Sequence, residues 1–171
     1  MANQAAIEPK QTGSDASSPQ VDLSPLPSFV GYMLRRAQLV VFEDFIGAMA
    51  AVGLRPASFS VLCVIRANPG STQTSVSEAL GLQRTNLVAI IDALEKRGLA
   101  RREPAPNDRR SHALFLTEAG ERLLADAMEI QAEHEARVLA RLRPREREQL
   151  LGLLQRMLGD HVDRRVAPNE I

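Results

Sequence analysis

The sequence predicts a mainly α-helical fold carrying one small β-hairpin, and three observations predict it. Apolar residues recur at intervals of three or four over most of the chain, the period of a helix with one buried face. Aromatic residues make up only 4% of the 171, with no Trp and one Tyr, which suits helices packed through Leu, Ala and Val rather than a β-sandwich. One stretch breaks the helical pattern. Asp108-Arg109-Arg110-Ser111-His112 is polar and basic, Ala113 to Leu116 is strand-forming, and Thr117 with Glu118 reads as an N-cap followed by an acid in the first helical turn. The basic part suits an exposed hairpin tip, a wing projecting from helices.

Taken in order, residues 1–22 are rich in Ala, Gln, Ser and Pro and poor in large apolar side chains, so they read as a disordered tail. Residues 23–55 hold a first helix, expected from about Pro27 to Val52, with Val30, Leu34, Ala37, Val41, Phe45, Ala48 and Val52 at helical spacing. Phe29, Met33, Val40, Phe42 and Met49 widen that stripe, which implies burial by the helix's own domain and by a second subunit. Gly53-Leu54-Arg55-Pro56 ends this helix, and Pro56 opens a second that stops before Asn68-Pro69-Gly70. Cys63 lies within its apolar run, where a lone cysteine reads as a small core residue and can form no internal disulfide.

Residues Ser75 to Leu99 divide into a short helix, a turn at Gly81 and a longer helix with Leu87, Ile90, Ile91 and Leu94 on one face. Ser75 and Glu78 fit a capping box, and Gly98 stands where a helix would stop. This is a helix-turn-helix pattern, and with the hairpin after it the span 56–120 is expected to form a winged helix-turn-helix domain. Residues 121–163 continue as helices, expected over Thr117–Arg141 and from Pro144 to about Val162, and 164–171 form a second tail. Leu150, Leu153, Leu154, Met157 and Leu158 make a narrow apolar seam too far along the chain to belong to the winged core, so it is read as a subunit interface. The expected architecture is a mainly α chain with a small β wing: a winged helix-turn-helix domain plus a helical dimerisation layer.

The formal net charge is zero, so the chain as a whole has no attraction for nucleic acid. From Lys96 to Arg110, however, six Lys or Arg face only Glu103 and Asp108, a local charge of +4 in fifteen residues. No stretch of eighteen apolar residues and no basic-then-apolar leader is present, so a cytoplasmic protein with no membrane role is expected. The absence of a Gly-rich phosphate loop, an H-E-x-x-H motif, a Cys/His cluster with zinc spacing and a nucleophile elbow speaks against an enzyme, and leads us to expect no metal and no cofactor.

Through LGLQRTNLVAIIDALEKRGLARR followed by DRRSHALFLTEAG, the chain resembles the MarR family of winged helix-turn-helix regulators, over roughly Leu26 to His161. The resemblance implies a homodimer whose first and last two helices make the dimer layer, and double-stranded DNA as partner. It places Gln83, Arg84, Thr85, Asn86 and Ala89 at the start of the recognition helix, where they can approach base edges or phosphates. Helix capping is a second reading for Thr85 and Asn86, and Val88 and Ala89 stand where relatives carry polar or basic residues. In the wing, Arg110 matches the position that enters the minor groove, Asp108 the acid that shapes the turn, and Arg109 a phosphate contact. Arg101 and Arg102 are candidates for further backbone contacts or for solvated surface. Two such units imply a pseudo-palindromic operator with half-sites about one helical turn apart.

Relatives in this family commonly answer to small phenolic or carboxylic compounds, and several to aromatic acids or their coenzyme A thioesters. Here Arg35 and Arg36 interrupt an apolar stretch, and paired guanidinium groups suit a carboxylate or phosphate. Phe29 and Tyr32 lie one turn away and His134 follows the wing, completing a candidate effector site. Plainer alternatives stay open: a solvent-facing or inter-subunit ion-pairing role for the arginines, and core packing for the aromatics. The expected function is a repressor released from DNA by an anionic effector. The alternative is a winged-helix module for protein contacts with no effector control.

Overall fold

The computed structural model describes residues 21–105 and 108–159, with 105 and 108–111 described by their backbone alone. The chain divides into two compact units, Met1–Arg36 and Ala37–Ile171. In the first, a 3-10 turn over Leu26–Ser28 precedes helix α1, Val30–Met49, which runs across the division. The helix expected from Pro27 thus begins three residues later, because Phe29 takes an extended conformation (φ −95°, ψ 126°). At its far end α1 tightens into a 3-10 turn over Ala50–Val52, and Gly53 closes it at φ +62°, a left-handed geometry that glycine adopts without a Cβ penalty.

Helix α2, Pro56–Ala67, opens on its proline and ends where Asn68 Nδ2 donates to the Val64 carbonyl at 3.0 Å. Helix α3, Gln73–Ala79, corrects the expected capping box. Its N-cap is Thr72, whose Oγ1 accepts from the Ser75 backbone N–H at 3.1 Å, so Ser75 lies inside the first turn. The reason lies across the fold: Thr72 has extended backbone (φ −78°, ψ 157°) and forms a β-bridge to Ala113, which holds it out of the helix. Helix α4, Arg84–Lys96, follows a turn in which Gly81 has φ +63°.

Strands β1, Ala100–Ala105, and β2, Asp108–Leu116, pair antiparallel with Ala100 opposite Leu116 and Pro104 opposite His112. The backbone of Asp108 to His112 belongs to β2 at the distal end of the hairpin, where Asp108 pairs with Ala105 and His112 with Pro104 and the register is irregular between Pro104 and Ala105. Thr117 caps helix α5, Glu118–Val138, accepting from the Gly120 N–H at 3.0 Å and donating to the Gly98 carbonyl at 2.6 Å. A Cβ on Gly120 would stand 1.9 Å from the Leu99 carbonyl oxygen, so only glycine lets α5 approach the segment leaving α4. Helix α6, Pro144–Leu158, completes the order. The last two helices end at Val138 and Leu158, short of the expected Arg141 and Val162; Asp160 and beyond lie outside the described residues.

The core of the second unit joins Val61, Leu62 and Ile65 of α2 to Leu87, Ile91 and Leu94 of α4, with Val76, Leu99, Leu114 and Leu124 closing around them. No single helix is long and apolar enough to cross a membrane among the described residues.

Candidate nucleic-acid interface

Helix α4 is held by one face and open on the other. Leu87, Ile91 and Leu94 are buried, while Gln83, Arg84, Thr85, Asn86, Ala89, Asp92 and Ala93 are exposed. Gln83 is the N-cap and makes no side-chain capping bond, and Thr85 and Asn86 lie within the helix, so neither serves as its cap. Arg84 Nη2 donates to Thr74 Oγ1 at 2.9 Å, tying the start of α4 to α3. Ala89 leaves a flat spot one turn beyond Thr85 and Asn86, and Val88 is half-buried, which fits a spacer better than a base contact.

The wing's roots carry two arginines with opposite fates. Arg101 stays half-exposed, its guanidinium 4.9 Å from the centre of the Phe115 ring and paired with Glu103 at 3.0 Å. Stacking on Phe115 and pairing with Glu103 hold the guanidinium at the surface in one orientation. Arg102 turns inward: Nη2 pairs with Asp92 at 2.7 Å and Nη1 with Glu95, and Glu95 also accepts from the Arg102 backbone N–H at 2.8 Å. This corrects the reading of Arg102 as a DNA contact or solvated surface, because two carboxylates of α4 occupy its donors. Arg97 is committed too, donating to the carbonyls of Gly53 at 2.7 Å and Val52 at 3.1 Å. The basic cluster counted along the sequence therefore loses Arg102 to two carboxylates, while Arg97, bonded only to neutral carbonyls, keeps its charge at the surface. The side chains of Asp108, Arg109 and Arg110 lie outside the described residues.

Of the candidate effector residues, Phe29, Tyr32, Arg35 and Arg36 belong to the first unit, on the turn preceding α1 and its first turns. Phe29, Arg35 and Arg36 are exposed, Tyr32 is half-buried, and Arg36 Nη1 donates to the Tyr32 hydroxyl at 3.4 Å. His134 belongs to the second unit and is 2% exposed. Its Nδ1 lies 2.7 Å from Asp44 Oδ1, which also accepts from Arg137 at 2.9 Å, and its ring meets Phe45 edge to face. Hydrogen bonds from Arg137 and then His134 hold the Asp44 carboxyl below its ordinary range. An open groove of about 500 Å³ lined by Val40, Asp44, Arg137, Val138 and Arg141 adjoins this cluster. Asp44 and Arg137 escape sequence reasoning because their pairing spans 93 residues. Burial pushes the Cys63 thiol up, consistent with a core role. Among the described residues no group of three or more His, Cys, Asp or Glu could hold a metal ion.

A short helix, a glycine turn, a second helix with one exposed polar face and a two-stranded hairpin define a winged helix-turn-helix fold. Residues 52–111 match the MarR family model. A Thauera aromatica protein assigned as the transcriptional regulatory protein for the hcr operon is 32% identical over 151 residues, covering 86% of this chain and 91% of its own. Among solved structures, the transcriptional repressor CouR bound to a 23-mer DNA duplex is 45% identical with a TM-score of 0.79, covering 82% of this chain and 99% of that one. CouR bound to p-coumaroyl-CoA is 43% identical with a TM-score of 0.72, covering 81% and 97%. A MarR-family regulator from Rhodococcus sp. RHA1 is 30% identical with a TM-score of 0.72, covering 78% and 95%. The chain belongs to the MarR family of transcriptional regulators.

Proposed function

We propose that this protein is a homodimeric repressor that binds a pseudo-palindromic operator and is released by a small anionic effector, an aromatic acid or its coenzyme A thioester. The observation that carries the DNA reading is the open face of α4, where Gln83, Arg84, Thr85, Asn86 and Ala89 stand clear of a core that fixes the opposite face. Such a helix end can enter a major groove, with Thr85 and Asn86 bonding base edges and Arg84 a phosphate. Arg101 adds a phosphate contact at the wing root, with Arg109 meeting phosphate and Arg110 the minor groove further out.

The effector part is supported by CouR, which has been solved with both DNA and p-coumaroyl-CoA at more than 40% identity. Arg35 and Arg36 supply the cationic groups an anionic ligand needs, with Phe29 and Tyr32 as an aromatic wall. Release follows if the effector binds the DNA-incompetent arrangement more tightly, by about 1–3 kcal/mol for a typical coupling. The test is a fluorescence-anisotropy titration of a duplex from the DNA upstream of the protein's own coding sequence, with and without aromatic acids and their coenzyme A thioesters. Specific binding that one compound reverses is the expected result. Specific binding that none of them alters overturns the effector, and absence of specific binding overturns the DNA reading in favour of a protein-interaction module.

A further inference from the structure

In the winged fold the recognition helix and the wing must reach two grooves of one duplex at once, so something must fix their spacing. Arg102 is placed to do so. Its side chain is only 19% exposed, and its donors are distributed over both helices of the helix-turn-helix. Nη2 pairs with Asp92 at 2.7 Å and Nη1 with Glu95, both on α4. With the Gln73 amide oriented to satisfy both groups, its oxygen accepts from Arg102 Nε at 2.6 Å and Nη2 at 3.0 Å, adding the first residue of α3. Glu95 also takes the Arg102 backbone N–H at 2.8 Å, so the strand itself is bonded to α4 as well as its side chain.

We propose that Arg102 is a positioning residue for operator recognition: it clamps the root of the wing to α3 and α4 and sets the distance between helix and wing, without touching DNA. This rests on the DNA-binding reading above. A planar guanidinium holding three acceptors in fixed directions constrains both the angle and the separation of what it joins, which a lysine at the same place would not do. Asp92 and Glu95 then have a purpose that an acid beside a DNA-reading face otherwise lacks. They oppose phosphate, yet together with Gln73 they orient the wing.

Positioning and phosphate contact make opposite predictions. Losing a phosphate contact lowers binding to every sequence alike and reduces the slope of log affinity against log salt by about one. Losing a positioning group lowers operator affinity selectively and leaves the affinity and salt slope of scrambled binding unchanged. The probes are a duplex enriched by the wild-type protein from a randomised library and a scrambled duplex of equal length, each titrated over a range of salt. For Arg102→Gln we expect operator affinity to fall by about tenfold, scrambled binding to stay within about twofold, and hydroxyl-radical protection to weaken at the flanking minor grooves but persist at the major-groove contacts. Circular dichroism confirms that each variant is folded at the titration temperature.

Glu95→Gln separates the two accounts without removing a cation. Weaker operator binding supports the clamp, whereas unchanged or tighter binding overturns it. An Arg102→Gln protein whose salt slope drops and whose scrambled binding falls equally also overturns it. Failure of the wild-type protein to enrich any duplex overturns the DNA-binding reading instead.

Discussion

Helices α4 and α6 are of similar length, 13 and 15 residues, and both carry large apolar side chains at helical spacing, yet the fold treats them in opposite ways. In α4, Leu87, Ile91 and Leu94 disappear into the core and leave a polar face open. In α6 nothing is buried: Leu150, Leu151, Leu153, Met157 and Leu158 are each between 38% and 58% exposed. Leu151 falls outside the seam read from the sequence, so the uncovered surface is wider than that seam. A helix whose polar face is free presents chemistry to a ligand, and one whose apolar face is free lacks a partner. The first fits DNA. The second fits a second copy of the chain, as do Leu39, Val40 and Ile46 of α1, which are at least half exposed.

The largest effect should come from the buried side of that contrast. Ile91→Ala empties a fully buried site and should cost about 2–5 kcal/mol, seen as a lower midpoint in urea with little change in slope. A loss under about 1 kcal/mol would mean that α4 is not the anchored helix described above. Leu153→Glu on α6 tests the other side. An unpaired charge carried into an apolar interface should raise the dimer dissociation constant by about a hundredfold or more, measured by sedimentation at graded concentrations. Unaltered association would remove α6 from the interface.

Gly120→Ala sharpens the comparison by disturbing the joint between α4 and the helices that follow. The added carbon would meet the Leu99 carbonyl at 1.9 Å, and because that atom is backbone the segment must shift. We expect about 1–3 kcal/mol of destabilisation, with operator binding weakened beyond what the stability loss explains, since Leu99 leads directly into β1.

Much of this arrangement could be read from the sequence, and the failures have physical causes. The apolar period of α4, Gly81 and Gly98 at its ends and the Thr117 cap are local signals, and each appears where local chemistry puts it. The start of α3 is ambiguous in the sequence because Thr72, Thr74 and Ser75 are all able to cap, and a bridge from Thr72 to Ala113, about forty residues away, decides it. Arg102 and Arg101 are neighbours of the same type, and only strand alternation, with one side chain over Phe115 and the other toward α4, separates a stacked surface cation from a clamp. The candidate DNA contacts on α4 are all exposed because four of them form its N-cap and first turn, beyond the stretch that Leu87, Ile91 and Leu94 anchor, and Ala89 follows one turn on. The effector candidates rest on side-chain chemistry alone, and His134 is engaged with Asp44 where its sequence position suggests a cleft-facing group.

The smallest expected effect concerns that last contact, which joins the second half of α1 to α5. Asp44 accepts from both Arg137 and His134, and these bonds hold its carboxyl below the ordinary value of 3.8. The folded protein therefore keeps Asp44 ionised at pH values where the unfolded chain has begun to take up its proton. Its contribution to stability is complete above the ordinary carboxylate range and is lost as pH falls through the lowered value. Asp44 is partly solvated, so solvent screens the pair and the effect is modest. Asp44→Asn should lower the thermal midpoint at neutral pH, and the gap from the wild-type protein should narrow below about pH 4. A gap that stays constant through the acid range would mean that the charge of Asp44 contributes nothing. The tie between α1 and α5 would then rest on packing of the His134 ring against Phe45, and the open groove beside it would owe its shape to the aromatic contact rather than to the ion pair.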